Sequence, residues 1–207
     1  MEETLHGWLD ALASDAATPG GGAAAALLVA TGAALVEMAC GLTLGREKFK
    51  DVEPLMLQTR AAASTLRAQA DRLRVEDSSA FEEVSAAYGL PRSTPDEKSF
   101  RTAQIQRALR HATEVPLRST ETGVAVLELA AAVASSANPN VISDVGAGAL
   151  SARAGAEASA LNVRINLASI KDEGYRADRG AVLADLLQRA TVATETVLAT
   201  VNAAIDR

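Results

Sequence analysis

The sequence predicts an all-α protein built as a bundle of long antiparallel helices. Three observations carry that expectation. The chain is rich in alanine, a strong helix former, and only 3% of its 207 residues are aromatic, so its helices must approach one another closely rather than pack around large rings. Apolar residues recur at three- and four-residue steps over long stretches, and no segment alternates as a strand would. Residues that start and stop helices punctuate those stretches. The length fits a single domain over residues 1–207 with a sizeable core.

Thr4 is placed to cap a short helix whose Leu5, Trp8, Leu9 and Leu12 fall at i, i+3, i+4, i+7 spacing. The stretch Thr18-Pro19-Gly20-Gly21-Gly22 comes next, followed at once by an alanine run from Ala23. Three consecutive glycines carry an entropy cost, so a fold keeps them where the backbone turns sharply or approaches something closely. Pro19 stiffens the entry and the alanines favour helix, giving a glycine turn that feeds a helix N-terminus. Bare N–H groups in that first turn suit an anion or a polar ligand edge. The same pentapeptide also suits a plain turn between two helices.

The alanine helix is expected to run to about Leu44, with Gly45 ending it and Arg46, Lys48 and Lys50 just beyond, where cations suit a helix C-terminus. A second long helix starts near Glu53-Pro54, carries Leu55, Leu66, Leu73 and Val84 towards Ala87, and stops at Gly89-Leu90-Pro91. Thr94, Pro95 and Glu97 form a capping-box start for a helix expected to reach Ala137, kinked at Pro116. Asn138-Pro139-Asn140 reads as a turn. Ser143 is then expected to cap a helix running from Asp144 to about Lys171, and a last helix is expected over roughly Asp178 to Ile205.

Charge and composition exclude several function classes. A net charge of −6 argues against a nucleic-acid surface. The lone Cys40 rules out an internal disulfide, reads as a buried inert thiol, and fits a reducing, cytoplasmic location. His6 and His111 lie on separate helical segments, and no zinc or catalytic-triad spacing appears, so no metal is expected. Glu2 and Glu3 do not suit a secretory signal. The run from Ala23 to Leu44 is long enough to span a bilayer, but Glu37 interrupts it and alanine and glycine dominate it. It is expected to be the central buried helix, with no membrane partner.

The helix after Ser143 carries a stripe of Gly148, Ser151, Gly155, Ser159, Asn162 and Asn166 at three- and four-residue steps, so these residues share one face. Either another helix packs there at short distance or a ligand lies along it. Buried asparagine amides would need partners. Asp77 looks like one exposed carboxylate among many, and Asp144 suits the first turn of its helix electrostatically.

Taken in order, several segments form a pattern. They are the Thr18–Gly22 turn, Leu42-Thr43-Leu44-Gly45-Arg46, Asp77 four residues before Phe81, and Leu90-Pro91-Arg92. Val115-Pro116-Leu117, the run from Asn138 to Asp144, and Asn162-Val163-Arg164-Ile165-Asn166 follow. The chain resembles the cyclodeaminase/cyclohydrolase family of folate enzymes from about Leu5 to its final helix. The resemblance implies an all-α fold that dimerises, as a homodimer or a multiple of one, with folate bound in a cleft. It places the catalytic carboxylate at Asp77; Asp144, at the end of the Asn138–Asp144 run, is a second catalytic candidate. It assigns Pro19, Gly20, Gly21, Gly22 and the Asn-rich segments to the cleft. The family usually has serine where Ala23 stands, and an unbroken basic run where Glu47 separates Arg46 from Lys48.

The chemistry implied works on the carbon bridging N5 and N10 of tetrahydrofolate. A cyclohydrolase adds water to the cationic methenyl bridge and opens the ring at N5, which calls for a base, a carboxylate near the cation and donors for the developing carbonyl. Asp77 suits the first two roles. Asn140, Ser143, Asn162 and Asn166 are candidates for orienting water or pterin edges. Arg46, Lys48 and Arg92 are candidates for the glutamate tail. No cofactor is expected; a tetrahydrofolate derivative is the substrate. A cyclodeaminase that expels ammonia is the nearest rival, and a non-catalytic helical module that keeps the fold is the other. The length leaves no room for a formiminotransferase half, so methenyltetrahydrofolate is the expected substrate.

Overall fold

A computed structural model describes residues 4–206; Glu2 and Glu3 lie outside the described residues. Six α-helices follow one another: α1 (Leu5–Leu12), α2 (Gly21–Gly41), α3 (Glu53–Gly89), α4 (Pro95–Val133), α5 (Ile142–Ser169) and α6 (Glu173–Ile205). Short 3-10 turns occupy Glu47–Val52 and Pro139–Val141, and there is no strand among the described residues. α2 packs on α3 and α5, and α4 closes the ring between those two; α6 lies across α4 and α5. Short links between long helices force neighbours to run antiparallel. α2 turns one face into the ring, with Ala23, Val29, Ala33, Val36 and Cys40 fully buried. By length and composition α2 could cross a membrane, yet here these side chains face its helical neighbours. Burial pushes the Cys40 thiol up to about 11, which leaves it inert near neutrality.

The glycines of the stripe explain how α2 and α5 meet. A Cβ on Gly155 would fall 2.6 Å from the Ala25 carbonyl oxygen and 2.9 Å from the Val29 nitrogen. One on Gly32 would fall 2.7 Å from the Gly148 carbonyl oxygen. Buried Ser159 donates to Ser119 at 2.9 Å, tying α5 to α4. Gly148, Gly155 and Ser159 are therefore helix-packing positions, Ser151 is half-exposed, and the Asn162 and Asn166 end of the stripe faces the cavity described below.

Side-chain caps start α1, α4 and α6. Thr4 accepts from the Gly7 amide at 3.1 Å. Thr94 accepts from Glu97, whose carboxylate accepts in return from the Ser93 and Thr94 amides. Other boundaries differ from expectation. α2 ends at Gly41, not Leu44, because the chain turns through Gly45 at φ +71°. Buried Thr43 anchors that turn, donating to the Ala39 carbonyl and accepting from the Asn138 amide. α4 ends at Val133 rather than Ala137, and α5 at Ser169 rather than Lys171. Ser143 does not cap α5: the 3-10 turn, held by Asn138 accepting from Asn140, delivers the chain already helical at Ile142. α6 starts at Glu173 instead of Asp178, because Asp172 caps it by accepting from the Tyr175 amide at 3.0 Å. α4 continues through Pro116.

Candidate active site

Unequal helix lengths create the site. α3 and α4 have 37 and 39 residues against 21 in α2, so they are about 25 Å longer. Gly22 sits beside Asp77, and α3 continues twelve residues further, to Gly89. Past the start of α2 the ring lacks its fourth helix, and a cavity of about 440 Å³ opens there. The α1–α2 link contributes Ala17, Thr18 and Gly20, the first turn of α2 contributes Gly21 and Gly22, and α3 contributes Asp77, Ala80, Phe81, Val84 and Tyr88. α4 adds Leu109 and Ala112, and α5 adds Asn162, Ile165, Asn166 and Ser169. A mostly apolar hollow with a few convergent polar groups is the usual form of a small-molecule site.

Asp77 is the single charged side chain of that lining. It is half-buried, and burial raises its carboxyl above the usual aspartate range, opposed by a hydrogen bond from the Ala23 amide. The partially positive start of α2 lies against it. A Cβ on Gly22 would overlap this carboxylate, at 2.6 Å from Oδ2 and closer still to Oδ1. Neither Gly21 nor Gly22 needs a left-handed backbone, since the positive-φ glycine is Gly45. Glycine at position 22 is required by close approach. The Thr18–Pro19 peptide bond ahead of it is cis.

The asparagines fix the opposite wall. Pro116 has no N–H, so the Ala112 carbonyl one turn earlier loses its helical partner. Asn166 Nδ2 donates to that carbonyl at 2.6 Å. Asn162 Nδ2 donates to the Ala158 carbonyl at 3.1 Å. With the amide nitrogens engaged, both Oδ1 atoms are acceptors with no donor among the described residues. The cavity thus offers a carboxylate of raised pKa, two amide acceptors, the first-turn amides of Gly21 and Gly22, and an apolar wall of Phe81, Val84, Tyr88 and Ile165.

Among the residues expected from sequence, Gly20, Gly21, Gly22, Asp77, Asn162 and Asn166 line this cavity, and Pro19 lies between two lining residues. The others do not meet them within one chain. Arg46 and Lys48 lie beyond the far end of α2, about 30 Å away along its 21 residues. Asn140, Ser143 and Asp144 are also at that far end, where Asn138 bonds the Leu42 carbonyl. Asp144 remains a first-turn acid of α5. Arg92 is exposed in the α3–α4 turn. Phe81, Val84, Tyr88, Leu109, Ile165 and Ser169 also line the cavity, and the sequence reading does not place them there. The signal existed on α3: Asp77, Phe81, Val84 and Tyr88 stand at i, i+4, i+7 and i+11, one helical face.

Two glycine variants separate space from function. Gly21 has nothing within 4 Å of a built Cβ, so Gly21→Val should melt within a few degrees of the parent while weakening ligand affinity about tenfold by crowding the cavity mouth. Gly22→Ala should displace the Asp77 carboxylate and lower turnover with little change in melting. Thermal melting and ligand titration on both proteins check this; unchanged affinity in Gly21→Val would return the turn to a purely structural role.

Comparison with known proteins agrees with this architecture. The sequence pattern of the Formiminotransferase-cyclodeaminase family matches residues 4–185. The chain is 43% identical over 204 residues to the Methenyltetrahydrofolate cyclohydrolase of Methylorubrum extorquens, covering 99% of this chain and 98% of that protein. It is 30% identical over 203 residues to the Formimidoyltransferase-cyclodeaminase of Rattus norvegicus, covering 98% of this chain but 38% of that longer protein. The crystal structure of formiminotetrahydrofolate cyclodeaminase from Thermotoga maritima superposes with a TM-score of 0.89 at 27% identity, covering 99% of this chain and 98% of that one. A pattern match over most of the chain, a full-length relative and a matching helical ring together establish that the chain belongs to the formiminotransferase-cyclodeaminase family.

Proposed function

We propose that this protein is a methenyltetrahydrofolate cyclohydrolase, hydrolysing 5,10-methenyltetrahydrofolate to 10-formyltetrahydrofolate. The observation that carries the proposal is the half-buried Asp77 carboxylate, held against the first turn of α2 inside a largely apolar cavity. The full-length relative with that activity supports it. The methenyl bridge is a cationic amidinium, so a desolvated carboxylate attracts it. Asp77 takes a proton from water as the oxygen bonds the bridging carbon. The tetrahedral adduct then breaks its carbon–N5 bond as N5 takes the proton held by Asp77, the hydroxyl proton passes to solvent, and the formyl group stays on N10. The amides of Gly21 and Gly22 are placed to receive the developing carbonyl oxygen, and a preorganised donor of this kind is worth about 10²–10³ in rate. Asn162 and Asn166 Oδ1 accept from pterin N–H groups. The reaction calls for no cofactor. We also propose a homodimer or a multiple of one, a cytoplasmic location, and no nucleic-acid or membrane partner.

The second reading is a formiminotetrahydrofolate cyclodeaminase, favoured by the solved structure that shares this ring. Supplying purified protein with each folate separates the two. Loss of the methenyl absorbance should far exceed the spontaneous rate, and ammonia release from formiminotetrahydrofolate should be slower or absent. The reverse result would assign the cyclodeaminase reaction, and inactivity on both would leave a non-catalytic module.

A further inference from the structure

We infer that each cavity is completed by a second copy of the chain, whose Arg46 and Lys48 reach over it across an antiparallel α2/α5 contact. The inference rests on the folate reading above. Its first support is a gap in the site. A folate substrate carries glutamate carboxylates, yet Asp77 is the single charged lining side chain, and it is negative. Arg46 and Lys48 are exposed, and neither has a carboxylate partner among the described residues. They lie at the wrong end of α2 to help their own cavity.

The second support is an outward face without a neighbour. On α2 the half-exposed or exposed Leu28, Thr31, Leu35 and Met38 follow at steps of three, four and three. This spacing is symmetric about position 33. A two-fold axis there sets Leu28 against the partner's Met38 and Thr31 against the partner's Leu35, a self-complementary contact. A groove beside α2, lined in part by Ala34, Met38 and Leu42, is placed to receive the partner's Leu28. Alongside, α5 exposes Leu150, Leu161 and Ile165, the last 69% exposed at the cavity rim. The apolar face is therefore continuous with the site. Two helices about 10 Å wide and about 30 Å long present about 600 Å² in projection. Side-chain relief brings the accessible area towards the roughly 800 Å² per partner of a stable interface.

Antiparallel docking has one geometric consequence. The Gly21 end of α2 meets the partner's Gly41 end, so the turn carrying Arg46 and Lys48 arrives at the cavity that lacks a cation. The symmetry makes both cavities alike.

Co-expression of two differently tagged variants tests the inference. One carries Asp77→Asn; the other carries Arg46→Ala with Lys48→Ala. As homodimers both should be slow on methenyltetrahydrofolate, the second by about tenfold in kcat/KM at unchanged melting. In the purified heterodimer one cavity pairs an intact Asp77 with intact partner cations, so kcat/KM should recover to about half that of the parent. A heterodimer no faster than the mean of its parents would place the cations in the same chain, for instance at Arg92, and overturn the inference. So would an unimpaired Arg46→Ala, Lys48→Ala protein. Leu28→Asp supplies a second readout by light scattering: a folded monomer with reduced activity is expected, and a fully active monomer would overturn the inference. Should the parent hydrolyse no methenyl substrate, the functional reading fails, whereas the masses of parent and Leu28→Asp still report on the contact.

Discussion

Replacing Asp77 with asparagine should lower turnover on methenyltetrahydrofolate by at least about 10²-fold, the low end of what a positioned general base contributes. The protein should melt at the same temperature or slightly higher. Burial raises the Asp77 carboxyl relative to an unfolded chain, so at neutral pH its ionised form weighs against the fold. That penalty fades as pH falls through the raised value and the group takes up a proton. Asparagine has the same shape, still accepts from the Ala23 amide and carries no charge to desolvate, so the penalty disappears. Activity has the opposite pH dependence. Protonated Asp77 cannot take a proton from water, so kcat/KM should fall on an acid limb whose midpoint lies above the ordinary aspartate range. The limb should vanish in the residual activity of Asp77→Asn. A folded Asp77→Asn protein with near-normal turnover would remove this residue from the mechanism.

Asp77 also shows where sequence reasoning stops. In Val75-Glu76-Asp77-Ser78-Ser79 nothing local distinguishes it from Glu76, which pairs on the surface with Arg118. Its burial comes from the start of α2, more than fifty residues away in the chain. Local signals were legible where they are chemically complete within one turn, as with Thr4 and the Thr94–Glu97 box. They were missed where the deciding partner is distant or a competing cue is nearer. Thr43 ends α2 through Asn138, which the apolar run Leu42-Thr43-Leu44 conceals. Gly174 in the first turn of α6 hides the Asp172 cap. The Gly/Ser/Asn stripe left packing and ligand both open because α5 does both: it touches α2 at Gly148 and Gly155, then outruns α2, so Asn162 and Asn166 face the cavity.

Pro116 and Asn166 illustrate a link that neither residue reveals alone. The proline leaves the Ala112 carbonyl free, and the asparagine from α5 engages it at 2.6 Å. One residue of the cavity wall is thereby locked in orientation by a defect in the helix beside it.

The largest stability change should come from the closest helix contact. Gly155→Ala places its new carbon 2.6 Å from the Ala25 carbonyl oxygen, 2.7 Å from Val29 Cγ2 and 2.9 Å from the Val29 nitrogen. Two of these atoms are helical backbone and cannot swing aside, so α2 and α5 must separate along their whole contact. Overpacking of this kind costs about 1–3 kcal/mol and occasionally more. Alanine's better helix propensity returns up to about 1 kcal/mol, which does not offset the upper part of that range. For a chain of this size a net loss of about 2 kcal/mol lowers the melting temperature by about 4–8 °C. Gly180→Ala is the control: it lies within α6, with nothing within 4 Å of a built Cβ. There the propensity gain acts alone and should raise the melting temperature by about 2–4 °C. The same chemical change thus has opposite signs at two helical glycines, and a Gly155→Ala protein as stable as Gly180→Ala would refute the close-approach account of α2 and α5. Moving α2 also shifts Gly22 away from the Asp77 carboxylate, so Gly155→Ala should lose turnover in the fraction that remains folded, which Gly180→Ala should not.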